Sequence, residues 1–356
     1  MAGHAGIPRK FGDKRFNFIT RLEHLEARSV TQIRDKGNMR SCVPLTCLTV
    51  SPPQADNFLT SRPRIPPVDY DSPTRHIILY PQPSQVQFQL IRILEKWLDN
   101  GAQILSTSSK RYCTRQSSQW KLFGRWQGCN YFARLILQQV GAFPSIVFET
   151  IHSVRGDEHK GHFERDYIYE KAARWFEGSN RAVRLVIIAI ISHDPVLPWA
   201  SPVLHGLNPS SPCHDWGISP NEIDRSAIST IATNITVQDK QSTARTVVDI
   251  YVAGASYPKH RCYAEHAWHG VFSADGQEQP ADENSVASNL ALSQFFTDIT
   301  SPSQRNALAE LPLPVHEFRT TLPRAVANDR YAQAEIVARD AQNEVRKWMA
   351  QGSPTN

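Results

Sequence analysis

Residues 144–153 read Pro-Ser-Ile-Val-Phe-Glu-Thr-Ile-His-Ser, a short apolar run that leads directly into the carboxylate of Glu149. The three apolar residues before Glu149 place its side chain in or beside a buried strand. An unpaired charge in such an environment costs several kcal/mol. Glu149 therefore needs a partner, which is a metal ion, a basic side chain or a hydrogen-bond network.

The residues that follow complete a strand–helix–strand unit. An aromatic helix is predicted from about residue 166 to residue 177, with Trp175 and Phe176 on its apolar face and Gly178 at its end. Residues 183–191 then read Val-Arg-Leu-Val-Ile-Ile-Ala-Ile-Ile, a second and more apolar strand. This order predicts a βαβ unit at 145–191. We therefore expect an α/β (α+β) domain with a central mixed sheet and flanking helices.

Three segments are predicted along the chain. Residues 1–83 combine a basic arm with a stretch that holds nine prolines between 44 and 83, so we expect them to be largely disordered linker. The nuclease-like α/β domain discussed below is assigned to 84–300, and Ser84 caps its first helix, which ends at Asn100-Gly101. Residues 301–356 are assigned to a linker and a long amphipathic helix from about Ala325 to Met349.

Composition and charge narrow the class of protein. Hydrophobic content of 40% and charged content of 21% are ordinary for a globular protein. Apolar runs are all shorter than the roughly 18 residues that a membrane helix needs, and the N-terminus lacks a secretory signal, so we expect a cytoplasmic or nuclear protein with no membrane association. Residues 1–40 carry nine Lys/Arg and four Asp/Glu and so account for the whole net charge of +5.

The segment around Glu149 resembles a known superfamily. Pro-Ser-Ile-Val-Phe-Glu, Ser153, the helix around Trp175 and the apolar strand after it are similar to uncharacterised fungal proteins of the PD-(D/E)XK nuclease-like superfamily, in the style of the Uma2-like proteins. Their pattern is an Asp-bearing segment, then Pro-x-Val-Val-x-Glu-Val-x-x-Ser, a helix with Asp-Ala-x-x-Trp-Leu, and a strand rich in Val and Ile. The resemblance covers residues 120–191 well and 245–300 weakly.

The resemblance implies hydrolysis of a phosphodiester assisted by Mg²⁺. Such a site has an Asp at the end of one strand, a Glu on the next and a Lys that orients the attacking water. Glu149 matches the Glu and is the expected metal ligand, but Asn130 holds the position of the Asp and Ile151 that of the Lys. Lys160 and Lys171 are the candidates to replace the Lys, and Ser153 is a further site residue. We therefore expect a degenerate Mg²⁺ site.

A nuclease also needs basic side chains along its cleft, because its substrate is a polyanion. The candidates for contacts with nucleic acid are Arg125, Arg134 and Arg174.

A zinc site is an alternative in the same chain. Cys262, His266 and His269 have Cys-x₃-His-x₂-His spacing, and Cys213 lies upstream. These four side chains offer the N and S ligands that Zn²⁺ prefers, if the fold brings the two segments together.

Two other functions fit the sequence. The first is a non-catalytic interaction protein that binds a protein partner through the C-terminal helix and in which Glu149 is ion-paired and lines no cleft. The second is an accessory protein of fungal specialised metabolism, with an apolar pocket lined by aromatic residues. The residues expected in that pocket are Phe143, Phe148, Trp175 and Phe176.

Overall fold

A mixed β-sheet of nine strands lies at the centre of the computed structural model. The structure describes residues 46–49, 53, 68–71, 76–79, 84–108, 110–122, 129–154, 171–180, 182–193, 220–238, 245–253, 264–273, 290–296, 299 and 301–350. The strands are β1 Thr46–Thr49, β2 Val68–Asp71, β3 His76–Leu79, β4 Tyr112–Lys121, β5 Asn130–Gln139, β6 Pro144–Val154, β7 Leu185–His193, β8 Arg245–Ala253 and β9 Ala264–Ser273. The helices are α1 Gln85–Leu105, α2 171–178, α3 Pro220–Arg225, α4 Ile228–Gln238, α5 Pro302–Ala309 and α6 Val315–Ala350, with a 3₁₀ turn at Leu292–Phe295.

The order of the strands is β1-β3-β2-β5-β6-β7-β8-β9, and β4 pairs with β5. Strands β6 and β7 run parallel with Glu149 opposite Ile188, and α2 lies between them in the chain. The other pairs of described strands in the sheet are antiparallel. The α/β fold class, the central mixed sheet and the βαβ unit at 145–191 are therefore confirmed.

The two faces of the sheet bury two different cores. Alternate residues of a strand point to opposite faces, so Phe148 packs into the larger core with α1 and α6, whereas Val147 packs into the core beneath α2. Trp175 and Phe176 of α2 are fully buried in this second core. Glu149 has the same parity as Val147, so its side chain lies on the α2 face.

The segment expected to be linker contributes three strands. Residues 46–49, 68–71 and 76–79 pair with one another, and β2 joins the main sheet where Tyr70 lies opposite Asn130. Twelve residues of the segment predicted to be linker thus lie in strands of the sheet. The nine prolines of this segment all lie outside the three strands, so none of them interrupts the strands themselves.

Residues of the segment predicted as C-terminal linker and helix also pack against the rest of the fold. Helix α5 lies in the expected linker, and α6 begins at Val315 rather than near Ala325. Phe318, Leu322 and Val326 follow one another at helical spacing and are fully buried in the larger core. The first half of α6 is therefore part of the main domain.

The second half of α6 packs against α3 and α4. The contact is a cluster of small and branched apolar side chains that leaves the predicted apolar face of α6 covered by helices of the same chain. Its buried members are Ile223, Ile231, Ala232, Ile235, Ala334, Ala338, Ala341 and Val345.

Helix α1 begins as predicted and ends later than predicted. Ser84 accepts a hydrogen bond from the Gln87 N–H, as an N-cap residue does. The helix continues through Gly101 to Leu105. A Cβ atom at Gly101 would lie 2.5 Å from the side chain of Leu292, so a larger residue there would force Leu292 to move.

Asp329 of α6 holds the first turn of α1. Its two oxygens accept from the backbone N–H groups of Gln85 (2.7 Å) and Val86 (3.0 Å). These N–H groups have no partner within their own helix, so the carboxylate satisfies them and interacts favourably with the helix dipole.

No helix of the described residues is long and apolar enough to cross a bilayer.

We predict that Asp329→Ala lowers the free energy of unfolding by about 1–2 kcal/mol, the usual effect of removing a helix cap. Asp340→Ala is the matched control, because it makes the same change within α6. Urea unfolding of the two variants measures the difference. Equal stability of both variants would contradict a capping role for Asp329.

Candidate carboxylate–lysine site

Glu149 lies where β6 separates from β5. The last paired residues of the two strands are Phe148 and Leu135, and among the described strands only β7 pairs with β6 beyond them. The side chain of Glu149 is only 2% exposed. The carboxylate of Glu149 therefore lies buried at the gap between the two strands. It needs polar partners there.

Asp69 enters this gap from β2. Strand β2 pairs with the beginning of β5, and the carboxylate of Asp69 accepts from the backbone N–H of Phe132 through Oδ1 at 2.6 Å. Asp69 is completely buried. The strand pairing that β5 lacks at this point is thus partly replaced by a side chain.

Lys171 at the start of the described part of α2 joins the two acids. Its Nζ lies 2.5 Å from Asp69 Oδ2 and also forms an ion pair with Glu149 Oε2. The lysine side chain is 1% exposed. One ammonium group therefore faces two buried carboxylates, each brought from a different part of the chain.

The second oxygen of each carboxylate is held by an N–H donor. Asp69 Oδ1 accepts from the Phe132 backbone, and Glu149 Oε1 accepts from the indole Nε1–H of Trp175. Both carboxylates are thereby oriented, so that Oδ2 and Oε2 converge on one point. Lys171 Nζ occupies this point.

Aromatic and basic side chains surround the ammonium group. The centroid of the Tyr131 ring lies 5.3 Å from Lys171 Nζ, within the range of a cation–π contact. Trp175 packs edge-on against Tyr131 at 6.0 Å, and Arg174 Nη1 donates to the Tyr131 hydroxyl at 2.8 Å. A low-dielectric wall on this side strengthens every charge interaction in the site.

A side chain on the opposite face of β6 is hydrogen-bonded to α1. Thr150, the residue after Glu149, accepts from the amide of Gln87 in α1. Gln87 is fully buried and directly follows Val86, whose backbone N–H donates to Asp329. The strand that carries Glu149 is therefore held from both faces.

Burial dominates the electrostatics of Glu149. The pKa of Glu149 is raised from 4.5 to about 7, chiefly by removal from water. The negative charge of Asp69 also contributes to this rise, whereas the charge of Lys171 and the hydrogen bonds from Lys171 and Trp175 oppose it. The attraction of Lys171 therefore does not offset the cost of burying the Glu149 charge.

The donor set suits a hard divalent cation. Carboxylate oxygens are preferred by Mg²⁺, which is commonly held by one or two carboxylates and keeps several waters. Within the described ranges, no group of three or more His, Cys, Asp and Glu side chains is placed to hold a metal ion. A cation here would take its protein ligands from Asp69 and Glu149.

Four other predicted site residues have no described side-chain contact with Glu149. Asn130 takes part in the sheet through its backbone, opposite Tyr70 and Lys121. Ser153 lies on β6 beside Ser192 of β7. Arg125 and Lys160 lie outside the described residues.

Two of the arginines predicted to contact nucleic acid, Arg134 and Arg174, are described by the structure, and neither faces an open groove. Arg134 is 4% exposed and Arg174 is 3% exposed. Arg134 stacks over the Phe132 ring at 5.1 Å, and Arg174 is bound to Tyr131 as described above.

His269 has a different partner from the one that a zinc site requires. Its Nδ1 lies 2.7 Å from Asp249 Oδ1, across the antiparallel pair of β8 and β9. His266 lies on β9, and Cys213 and Cys262 lie outside the described residues.

Sequence reasoning missed Asp69. The sequence signal was weak, because β2 is only four residues long and is preceded directly by Pro66-Pro67. The alternation Val68-Asp69-Tyr70-Asp71 fits a strand, but nothing in it indicates pairing with β5.

We predict that Glu149 makes the protein less stable as the pH rises. Its pKa is higher in the folded protein than in the unfolded chain, so the folded state binds the proton more tightly. The stabilisation of the folded protein by protonated Glu149 is complete below pH 4.5 and is lost as the pH rises through about 7. Between pH 5 and pH 8, the free energy of unfolding of the wild type should fall by on the order of 3 kcal/mol relative to that of Glu149→Gln.

Urea unfolding of both proteins at several pH values measures this difference. Glu310→Gln, a change at an exposed carboxylate, serves as the control and should follow the wild type. A wild type that gains stability over Glu149→Gln as the pH rises would show that Glu149 is more acidic in the folded protein, contrary to the prediction.

Comparisons of the chain with protein-family models, with curated proteins and with solved structures find no match.

Proposed function

We propose that this chain is a nuclease-like protein whose Asp69, Glu149 and Lys171 form a Mg²⁺-dependent phosphodiesterase site. Its motif is degenerate in sequence, because Asn130 and Ile151 occupy the positions of the usual Asp and Lys. A second acid and a lysine nevertheless reach Glu149 from elsewhere in the chain. The biological role within the cell is left open by this proposal.

One observation carries the proposal, namely the convergence of Asp69 Oδ2 and Glu149 Oε2 on the ammonium group of Lys171. An Asp, a Glu and a Lys in mutual contact are the three groups that the resemblance implies. The order of elements also agrees with the resemblance, since the Glu-bearing strand is followed by a Trp-bearing helix and a parallel apolar strand.

The roles of the residues follow from their contacts. Asp69 and Glu149 would hold Mg²⁺, which when bound supplies charge stabilisation for the phosphate and lowers the pKa of a water molecule. Phe132 and Trp175 keep the carboxylates in orientation through their N–H groups. Lys171 would orient the water that attacks phosphorus as the bond to the leaving oxygen breaks. The buried aromatic wall excludes other water.

The substrate class that we propose is nucleic acid. It rests on the resemblance and on the phosphodiester chemistry of the site. Arg134 and Arg174 are buried, so their contribution is to the positive potential behind the site rather than to direct contact on an open surface. A cytoplasmic or nuclear location belongs to the same proposal.

A second candidate function is that of a non-catalytic interaction protein. The burial of all three site residues favours it, because Asp69, Lys171 and Glu149 are 0%, 1% and 2% exposed. In this case the ion pairs of Lys171 serve only to hold β2 and α2 against β6. A protein partner on α6 would need a surface other than the covered apolar face.

The geometry disfavours an apolar pocket at the predicted aromatic residues. Phe148 belongs to the core on the α1 face, whereas Trp175 and Phe176 belong to the core beneath α2. Phe143 packs against this second core. Residues on opposite faces of a sheet do not line one cavity.

We predict Mg²⁺- or Mn²⁺-dependent cleavage of DNA or RNA by the full chain. Glu149→Gln and Asp69→Asn should each lower the rate by about 100-fold or more, because each removes a ligand of an ion that supplies several kcal/mol of charge stabilisation. Single- and double-stranded substrates of both kinds should be tested, with a chelator as the metal-free reference.

Asp249→Asn is the matched control, since Asp249 is another buried carboxylate of the same sheet that lies outside the site. It should retain activity. If the wild type neither cleaves any substrate nor binds either metal, the phosphodiesterase proposal fails and the non-catalytic function is favoured.

A further inference from the structure

A thiol and a buried amide lie side by side on β4 and β5. Cys113 is opposite Gln138 in the antiparallel pair, and Gln138 Nε2 lies 4.0 Å from Cys113 Sγ, which is long even for a hydrogen bond to sulfur. Cys113 is a free thiol on a partly exposed residue, whereas Gln138 is only 2% exposed. Solvent therefore reaches the cysteine from one side, and the amide faces it from the other.

The amide of Gln138 is only half satisfied. Within the part of the chain that the structure describes, its buried Oε1 atom has no hydrogen-bond partner. Rotation of the amide by half a turn would let Oε1 accept from the S–H group, but Nε2 would then lose its contact with the sulfur. A thiol thus meets one end of the amide at a time. Buried polar atoms without a partner are rare in folded proteins, so this one calls for an explanation.

A sulfenic acid at Cys113 would satisfy both ends of the amide. In a Cys–S–O–H group the sulfur is an acceptor and the hydroxyl bonded to it is a donor. The amide of Gln138 presents the complementary pair, a donor on Nε2 and an acceptor on Oε1. The contact between Nε2 and Sγ is already present, and the new O–H group would donate to Oε1.

We propose that Cys113 is a site of reversible oxidation to sulfenic acid by hydrogen peroxide, and that Gln138 stabilises the oxidised product. The thiol supplies the reactive atom, and the amide supplies a two-point partner for the sulfenic group. This modification site is separate from the cluster of Asp69, Glu149 and Lys171. It does not depend on the function proposed for that cluster.

The oxidation balances with hydrogen peroxide as the co-reactant. The sulfur of Cys113 attacks one peroxide oxygen, so that an S–O bond forms as the O–O bond breaks. The other oxygen leaves as hydroxide and takes the thiol proton to give water. The sulfur loses the two electrons that the peroxide gains. A small thiol in excess reverses the change, because the sulfenic oxygen leaves as water while two molecules of the thiol join in a disulfide.

Cys129 provides a contrast within the same chain. It is completely buried, directly before β5, and it is also a free thiol. Oxidation of a cysteine requires access of the oxidant to its sulfur. Peroxide should therefore modify Cys113 and leave Cys129 unchanged in the folded protein.

The first test identifies the oxidised sulfur in the wild-type chain. The protein is treated with hydrogen peroxide and then with dimedone, which reacts with sulfenic acids, and mass spectrometry locates the label. We expect dimedone on Cys113 and none on Cys129. A small thiol added before the dimedone should prevent the labelling of Cys113. A peroxide-treated protein without dimedone on Cys113 would refute the proposal.

The second test measures the contribution of Gln138. Catalase removes the peroxide, and dimedone is added after increasing delays, so the label that still forms gives the lifetime of the sulfenic acid. Gln138→Leu should shorten this lifetime by about fivefold, the factor that a hydrogen bond of ordinary net strength supplies. We expect this variant to fold, because the substitution removes a buried acceptor that has no described partner.

Gln139→Leu is the matched control. It makes the same change at the next residue of β5, whose side chain points to the other face of the sheet, and should leave the lifetime unchanged. Equal lifetimes in the wild type and Gln138→Leu would overturn the role of the amide. Neither test uses a metal ion or a nucleic acid, so the result is independent of the phosphodiesterase proposal.

Discussion

The ammonium group of Lys171 lies between the buried carboxylates of Asp69 and Glu149, and several parts of the fold depend on this contact. The three residues come from β2, β6 and α2, which are far apart in the chain. Removal of the Lys171 charge would leave two buried carboxylates without this partner, a change that typically costs several kcal/mol. The ion cluster therefore joins the N-terminal strands to the βαβ unit.

The cluster exists because the sheet opens between β5 and β6. The two strands pair neither before Leu135 of β5 nor after Phe148 of β6. On this side of β5, β2 pairs with its beginning instead. Sheet strands twist, so a long ribbon such as β4–β5 readily turns away from its neighbours. Leu135 faces the α1 core, whereas Tyr131 four residues earlier faces the core beneath α2 and forms the wall of the site.

The predictable parts of this structure are the ones that local sequence determines. Glu149 and the strand after α2 were identified because a continuous apolar run and an aromatic helix need no distant partner to be recognised. Asp69 was not identified, because its strand has four residues and its role depends on pairing with β5. Lys171 was a candidate, but its contact with two acids depends on the same non-local pairing. The start of α6 was missed because Pro323 interrupts its pattern.

The charges of the cluster also bear on why a chain would keep it. Buried ion pairs are seldom a source of stability, since apolar side chains of similar volume often replace them at no cost. Burial is the largest cause of the rise in the pKa of Glu149 to about 7, and the negative charge of Asp69 adds to it. Perturbed carboxylates of this kind are concentrated at functional sites. Since N–H groups of Phe132 and Trp175 hold one oxygen of each acid, the other two oxygens converge on Lys171, and the geometry of the cluster depends on these donors as well as on the charge of the lysine.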